Sequence, residues 1–255
     1  MVKYDTVGGL GNQLFTYCFA RILAKRFSIP FRGGVHHSSK GRPTMLQEMG
    51  VQINGGIDKP EKGTPQQLSG NVVDITAIDP DRPIVLGKDG QGWFQRYEYY
   101  QGWKESIREW LGCSQWDIPK VSENALCVHV RQGDFITLGV DLPVDAYVMA
   151  AESFSSFDSV CIVSDTRETE TVQALIDKYD VETVVSEMPL VCLRTIMAHR
   201  NLICSDSTFS WWGAWLGGAD EIVEMKRIPR GVAEWNGGDR RVYDESRYRY
   251  LAWQA

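Results

Sequence analysis

Leu126-Cys127-Val128-His129-Val130-Arg131-Gln132-Gly133-Asp134 is a short apolar run that ends abruptly in an imidazole, a guanidinium, a glycine and a carboxylate. A continuous apolar run of this length predicts a strand buried inside a parallel sheet. Side chains alternate along a strand, so His129 and Arg131 share one face at its carboxyl end. Gly133 then lets the chain turn sharply. In open α/β sheets that end is where ligands bind. A permanently charged fork of five donors suits a phosphate or a carboxylate. A structural ion pair between Arg131 and Asp134 beside a packed histidine accounts for the same residues. Both readings stay open at this point.

Apolar runs at about 125–130, 159–164, 182–185, 201–204 and 221–225 alternate with helical patterns near 143–157, 167–179, 189–199 and 207–217. Pro143 and Pro189 stand where first-turn prolines are tolerated. The alternation predicts a parallel sheet with right-handed crossovers, a Rossmann-like unit. At the other end, Val2–Val7 reads as a strand and Gly8-Gly9-Leu10-Gly11 as a tight loop. A helix follows with Asn12 as its N-cap and Phe15, Phe19, Ile22 and Leu23 on its apolar side, closed by Pro30. Residues 31–90 are rich in Gly, Pro and polar residues, with short strand candidates at Val72–Ile75 and Ile84–Leu86. A helix over Lys104–Leu111 leads to a linker at Pro119. The chain therefore reads as α/β in two domains, 1–118 and 119–255.

The 255 residues carry a net charge of −6, with 43% hydrophobic and 24% charged residues. An acidic balance argues against a nucleic-acid partner, which would call for a basic stripe. There is no apolar run long enough to span a membrane, and the first residues lack the apolar core of a signal peptide. Six scattered cysteines without a CxxC pair, and four histidines, predict buried reduced thiols rather than a zinc site or a disulfide framework. That pattern fits a cytoplasmic protein.

Four further segments carry chemistry. Gly8-Gly9-Leu10-Gly11-Asn12-Gln13 joins a strand to a helix, where backbone amides and the helix dipole can hold an oxyanion. It is neither the dinucleotide fingerprint, since Leu14 occupies the third glycine position, nor a P-loop; a plain tight turn also explains it. Ser205-Asp206-Ser207-Thr208-Phe209-Ser210-Trp211-Trp212 follows an apolar strand and reads as a helix whose opening hydroxyls can cap it or reach phosphate oxygens. The paired tryptophans read as core. Val160-Cys161-Ile162-Val163-Ser164-Asp165 ends in a carboxylate that could accept from the N–H edge of guanine, or serve as the N-cap of a helix containing Glu168. Gly92-Trp93-Phe94-Gln95-Arg96-Tyr97-Glu98-Tyr99-Tyr100 offers rings that stack on sugar faces or close a domain seam. Asp79-Pro80-Asp81 matches a metal-binding Asp-x-Asp, but its proline-rich surroundings favour a surface turn.

Taken in order, Gly8–Phe15, His129–Asp134 and Ser205–Trp212 resemble the three motifs of the α-1,2-fucosyltransferase family: Gly-Gly-Leu-Gly-Asn-Gln-Leu-Phe, His-x-Arg-Arg-Gly-Asp and Ser-x-Ser-Thr-Phe-Ser-Trp-Trp. The aromatic stretch and the Ser164-Asp165 strand end also resemble family segments, so the likeness covers most of the chain outside 31–90. The resemblance implies two Rossmann-like domains facing a cleft (the GT-B type) and inverting transfer of L-fucose from GDP-fucose to a galactose-type acceptor, with no metal and no other cofactor. It implies an acceptor-side N-terminal domain and a nucleotide-binding C-terminal one. Arg131 would bind the β-phosphate and Asp134 is the motif carboxylate, the two candidate catalytic residues. His129 and Asp165 would lie near the guanine, with Ser207, Thr208, Phe209 and Ser210 at the diphosphate. Gly9, Gly11 and Asn12 would stand across the cleft, with Trp93, Gln95 and Tyr97 on the acceptor side.

The chain departs from the family pattern at Gln132, where a second arginine is usual, and at Phe135, where tyrosine is common. Loss of one charge-assisted contact would weaken donor binding or leaving-group stabilisation by about 1–3 kcal/mol. Two alternatives follow: a transferase using another nucleotide sugar, or a catalytically weak module that binds GDP or glycan. No obligate protein partner is expected. The tail, with Arg240, Arg241, Arg247 and Arg249 among Tyr243, Tyr248, Tyr250 and Trp253, reads either as a packing helix or as a peripheral contact with the inner face of a membrane.

Overall fold

In the computed structural model, which describes residues 1–5, 8–35, 45–51, 64–87, 92–228 and 238–254, the chain divides into two units. The first comprises Met1–Gln115 with Asn236–Arg241, the second Trp116–Trp235 with Val242–Ala255.

The first unit contains β1 (Val2–Asp5), α1 (Leu10–Arg26), β2 (Phe31–Val35), β3 (Gln66–Leu68), β4 (Ile84–Leu86) and α2 (Lys104–Trp110). Its strands form a parallel sheet in the order β2-β1-β4-β3. α1 is buried along most of its length: Leu14, Phe15, Phe19 and Leu23 are wholly enclosed, and Phe19 stacks on Phe94 with centroids 4.8 Å apart. The strand expected over Val2–Val7 runs to Asp5, and the last two of its residues lie outside the described set.

The second unit contains β5 (Leu126–Val130), α3 (Gly133–Leu138), α4 (Val144–Glu152), β6 (Val160–Ser164), α5 (Glu170–Lys178), β7 (Val181–Val185), α6 (Pro189–Ala198), β8 (Asn201–Cys204), α7 (Thr208–Leu216), β9 (Glu221–Ile228) and β10 (Tyr248–Gln254). All six strands are parallel, in the order β10-β9-β8-β5-β6-β7. This is the Rossmann order, with its reversal between β5 and β8. Every residue of β5 and β6 is buried, as continuous apolar runs dictate. Leu126, Val128, Val130, Ile162 and Ile203 pack against Ala146, Tyr147 and Ala150 of α4 and Val172 and Leu175 of α5. α6 and α7 lie together against β6 and β8. Their approach is so close that a Cβ at Gly213 would sit 2.6 Å from Ile196. Trp211, Trp212 and Trp215 are enclosed and mutually packed, with Trp211 stacked on Trp215 at 5.3 Å. The packing reading of these rings holds.

Several local expectations need correction. α1 begins at Leu10 with Gly9, not Asn12, at the N-cap: the Asn12 and Gln13 amides already donate to the Gly9 carbonyl at 3.0 and 3.1 Å. Val72–Ile75 is not a strand, because the Asp74 side chain accepts the Thr76 amide (2.9 Å) and starts a 3-10 turn over Ile75–Ala77. Asp165 caps no helix; Thr169 caps α5 instead, accepting from Val172 at 3.2 Å. The tail is no helix: alternating Tyr248, Arg249, Tyr250, Leu251 pairs in register with β9 as an edge strand. Asp79 forms the surface turn expected, its carboxylate accepting the Asp81 amide at 3.0 Å.

Candidate functional site

The segments that leave β5 and β8 flank the point where the strand order of the second unit reverses, the usual ligand position of such sheets. His129, the penultimate residue of β5, is 3% exposed. Its Nδ1 is hydrogen bonded to Ser205 Oγ at 2.8 Å and its ring lies 5.7 Å from that of Phe209, stitching the two loops together. Burial, helped by the charge of Arg131, lowers its pKa to about 3. His129 is therefore neutral at physiological pH, a packed hydrogen-bonding group rather than a cation.

Arg131 follows directly. Its guanidinium forms ion pairs with Asp165 through Nη1 and with Asp134 through Nη2, and lies 5.0 Å from the centroid of the Phe135 ring. The second carboxylate oxygen of Asp165 accepts the Gln132 backbone amide at 3.0 Å. A Cβ at Gly133 would collide with that carboxylate, so the glycine is required by Asp165 rather than by an unusual backbone angle. The sequence left an Arg131–Asp134 ion pair and an anion site as alternatives. The ion pair exists, and Asp165 joins it. The two carboxylates engage two of the five N–H donors of the guanidinium.

Gln132 points elsewhere. It is 3% exposed, its Nε2 donates to Thr171 Oγ1 at 2.7 Å in the first turn of α5, and its Oε1 is buried without a partner among the described residues. Its side chain ties the end of β5 to the start of α5.

On the other loop, Ser207 caps α7 and accepts the Phe209 amide at 3.3 Å. Thr208 and Phe209 are partly exposed in the first turn. Ser210 is wholly buried, its hydroxyl donating to the Ser205 and Ser207 carbonyls at 3.2 and 3.3 Å. It braces the turn from inside.

The expected residues of the first unit form their own cluster. Gly8 has φ +80°, and a Cβ there would lie 3.1 Å from the Trp93 ring and 2.9 Å from Asn12 Nδ2. Gln13 Nε2 donates to the Gly8 carbonyl at 2.9 Å. Gln95 Nε2 donates to Asn12 Oδ1 at 3.0 Å, and the Gln95 amide donates to Asn71 Oδ1 at 2.8 Å. Gly9 and Gly11 belong to the same turn, as the N-cap of α1 and in its first turn. Of the aromatic stretch, Trp93 is partly exposed, whereas Gln95 and Tyr97 are buried. Tyr97 begins a 3-10 turn and presents no ring for stacking on a sugar.

Three participants were not read from the sequence as site residues: Thr171, Asn71 and Arg240. Thr171 and Asn71 carry no local signal, and Arg240 reaches Gln95 from 145 positions away. The tail arginines are engaged within the protein. Arg247 donates to the Ala219 carbonyl at 3.0 Å and to those of Ala214 and Gly217 near the end of α7. Arg249 pairs with Glu221. Among the described residues no group of three or more His, Cys, Asp or Glu is arranged to hold a metal ion. All six cysteines are buried and none is in a disulfide, and no described helix is long and apolar enough to cross a membrane.

Residues 91–227 match the model of glycosyl transferase family 11. The solved structure of an Arabidopsis thaliana FUT1 point mutant in complex with GDP is similar to this chain at 12% sequence identity, covering 93% of this chain and 72% of the other with a TM-score of 0.50. That likeness shows a shared fold of the GT-B type. No curated protein sequence matches the chain.

Proposed function

Because the chain belongs to glycosyl transferase family 11, the α-1,2-fucosyltransferase family, we propose that it transfers L-fucose from GDP-fucose to the 2-hydroxyl of a galactose-type acceptor, with inversion and without a metal ion. One observation carries the reading: Arg131 and the N-terminus of α7 flank the strand-order reversal of a Rossmann sheet. A guanidinium and the opening amides of a nine-residue helix suit a diphosphate. The GDP held by the Arabidopsis neighbour supports the choice of nucleotide.

In this mechanism the acceptor hydroxyl attacks the anomeric carbon opposite its bond to the β-phosphate oxygen, that bond breaks so that GDP departs with its electron pair, and the hydroxyl proton passes to solvent water. Arg131 neutralises the charge that develops on the leaving phosphate, aided by the hydroxyls of Ser207 and Thr208 and the dipole at the head of α7. Ser210 keeps that head in shape. Donor binding exchanges partners around Arg131. The N–H edge of guanine takes Asp165 and the phosphate takes the freed N–H groups, while Asp134 keeps the guanidinium in orientation. His129, being neutral, holds the two loops together beside the guanine without adding charge. Gly9, Gly11 and Asn12, with Trp93 beside them, serve the fucose and acceptor from the first unit; Gln95 and Tyr97 support that loop from within. Six buried cysteines without a disulfide fit a reducing compartment. We place the reaction in the cytoplasm, with lipid-linked oligosaccharides at the inner membrane face among the acceptors. The reading as a weak binding module, prompted by Gln132 and by the want of an assigned general base, stays the alternative: the Gln132 amide is committed to Thr171 and adds no contact to a phosphate.

Mass spectrometry of products from GDP-fucose and a panel of galactosides, with and without EDTA, tests the proposal. Product mass gains of one deoxyhexose, unchanged by EDTA, are expected. A folded sample that binds GDP yet yields no fucosylated product overturns it.

A further inference from the structure

The chain enters the first unit a second time near its C-terminus. The Asp239 amide donates to the Gln95 carbonyl at 2.9 Å and the Tyr97 amide to the Asp239 carbonyl at 2.7 Å. This short parallel bridge holds Arg240 beside Gln95. Arg240 is 3% exposed, and its Nη1 donates to Gln95 Oε1 at 3.4 Å. Gln95 Nε2 in turn donates to Asn12 Oδ1 at 3.0 Å.

A primary amide can rotate to exchange its oxygen and nitrogen, and geometry alone does not choose between the two. A guanidinium can only donate. Arg240 therefore holds the Gln95 oxygen towards itself, which sends the Gln95 N–H groups towards Asn12. Asn12 must then answer with its oxygen, and its Nδ2 is left on the other side, next to Gly8, where a Cβ would lie 2.9 Å from it. Asn71 holds the Gln95 backbone at 2.8 Å, so the relay cannot slide.

We propose that Arg240 is a positioning residue that sets the amide polarity of Asn12, so that the glycine loop offers an N–H donor to an oxygen of the bound sugar. The proposal rests on the fucosyl-transfer reading for its substrate. The loop selects a ligand atom with lone pairs, a hydroxyl, ring or glycosidic oxygen, and disfavours a ligand that presents only donors.

The test uses the full chain. Gln95→Glu keeps an oxygen for Arg240 but offers Asn12 an oxygen in place of N–H, so the Asn12 amide must turn over. Asn12→Asp keeps the bond from Gln95 and deletes the N–H donor. Each variant is expected to lower kcat/KM for the acceptor by about tenfold or more, with the melting temperature unchanged and the GDP dissociation constant within twofold of wild type. Arg240→Lys, still a pure donor, is expected to retain activity that Arg240→Leu loses. Wild-type turnover in either Asn12→Asp or Gln95→Glu overturns the proposal. Side-chain amide NMR on 15N-labelled protein reads the orientation without turnover: the Asn12 Nδ2 protons should show contacts to Gly8 in wild type and Arg240→Lys and lose them in Gln95→Glu. Contacts from those protons to Gln95 in wild type overturn the relay even if fucosyl transfer is confirmed. Correct contacts without fucosylated product keep the relay and discard the substrate reading.

Discussion

The two clusters hold polar groups still in different ways. At the ends of β5 and β8 the fixing is ionic: Arg131 is shared between Asp134 and Asp165, and a neutral histidine joins the loops. On the Gly8–Asn12 loop the groups are primary amides, ordered in sequence by a donor-only guanidinium at the far end. Charge acts at a distance and suits an anion such as a diphosphate. A chain of amides acts only at contact and sets which atom of a neutral partner is accepted. The second unit should accordingly govern affinity for the nucleotide, and the first the productive placement of sugar hydroxyls.

The largest effect that would break this contrast comes from Arg131. Arg131→Ala is expected to lower kcat/KM by at least about a hundredfold, roughly 3 kcal/mol of leaving-group stabilisation. GDP affinity by calorimetry should fall with it. If Asn12→Asp weakened GDP binding as much, the division of labour would fail.

The glycines give a smaller, matched pair. Gly133→Ala pushes a Cβ into the Asp165 carboxylate, and a tenfold loss of GDP affinity, about 1.4 kcal/mol, is expected. Gly8→Ala must adopt φ +80° against Trp93. Its cost of about 1–2 kcal/mol should appear in thermal melts, with GDP affinity unchanged. Equal effects on GDP affinity would merge the two clusters into one.

The second unit was legible because its strands are buried on both faces. Residues such as Leu126–Val130 and Val160–Ser164 are apolar throughout, and they alternate with helices at a regular spacing. The first unit showed Val2–Asp5 and Ile84–Leu86 in its sequence but hid its other two strands. Phe31–Val35 contains two glycines and Gln66–Leu68 is three residues long, too short to show a period. The Tyr248–Gln254 strand was misread because arginine and tyrosine side chains suggested an amphipathic helix, although their alternation has period two. Which residues belong to the candidate site could be read where a motif is local, as at His129–Asp134. Arg240 and Thr171 act through partners 145 and 39 positions away, and single-sequence patterning holds no trace of such pairings. Even within a motif, direction was not readable: Ser210 and Tyr97 face inward because their neighbours' carbonyls and the turn geometry claim them.

The ionic cluster should respond to pH where the amide relay does not. His129 has a folded-state pKa near 3, against roughly 6.5 when unfolded. Above about pH 6.5 both states are neutral and stability is unaffected. As the pH falls towards 3 the unfolded chain takes up a proton that the folded one refuses, which removes about 1.4 kcal/mol per pH unit. Denaturant melts between pH 7 and pH 5 should show this slope in wild type and a shallower one in His129→Gln. Parallel slopes would mean that the imidazole titrates normally and is not enclosed between the two loops.

The smallest effect bears on Gln132, the residue that departs from the family motif. Its amide donates to Thr171 from a position 3% exposed, while its oxygen has no partner among the described residues. One satisfied and one orphaned group nearly offset each other, so Gln132→Met should cost little, about 1 kcal/mol. A double-mutant cycle with Thr171→Val should give a coupling of about 0.5–1.5 kcal/mol in unfolding free energy, with both single variants leaving GDP affinity within twofold. Gln132→Arg sharpens the question further. If the side chain serves only to tie β5 to α5, an arginine forced into that enclosed space destabilises the fold without tightening GDP binding. A tenfold gain in GDP affinity would instead mean that the position can turn towards the phosphates, and that the anion site of the second unit holds one cation fewer than its fold allows.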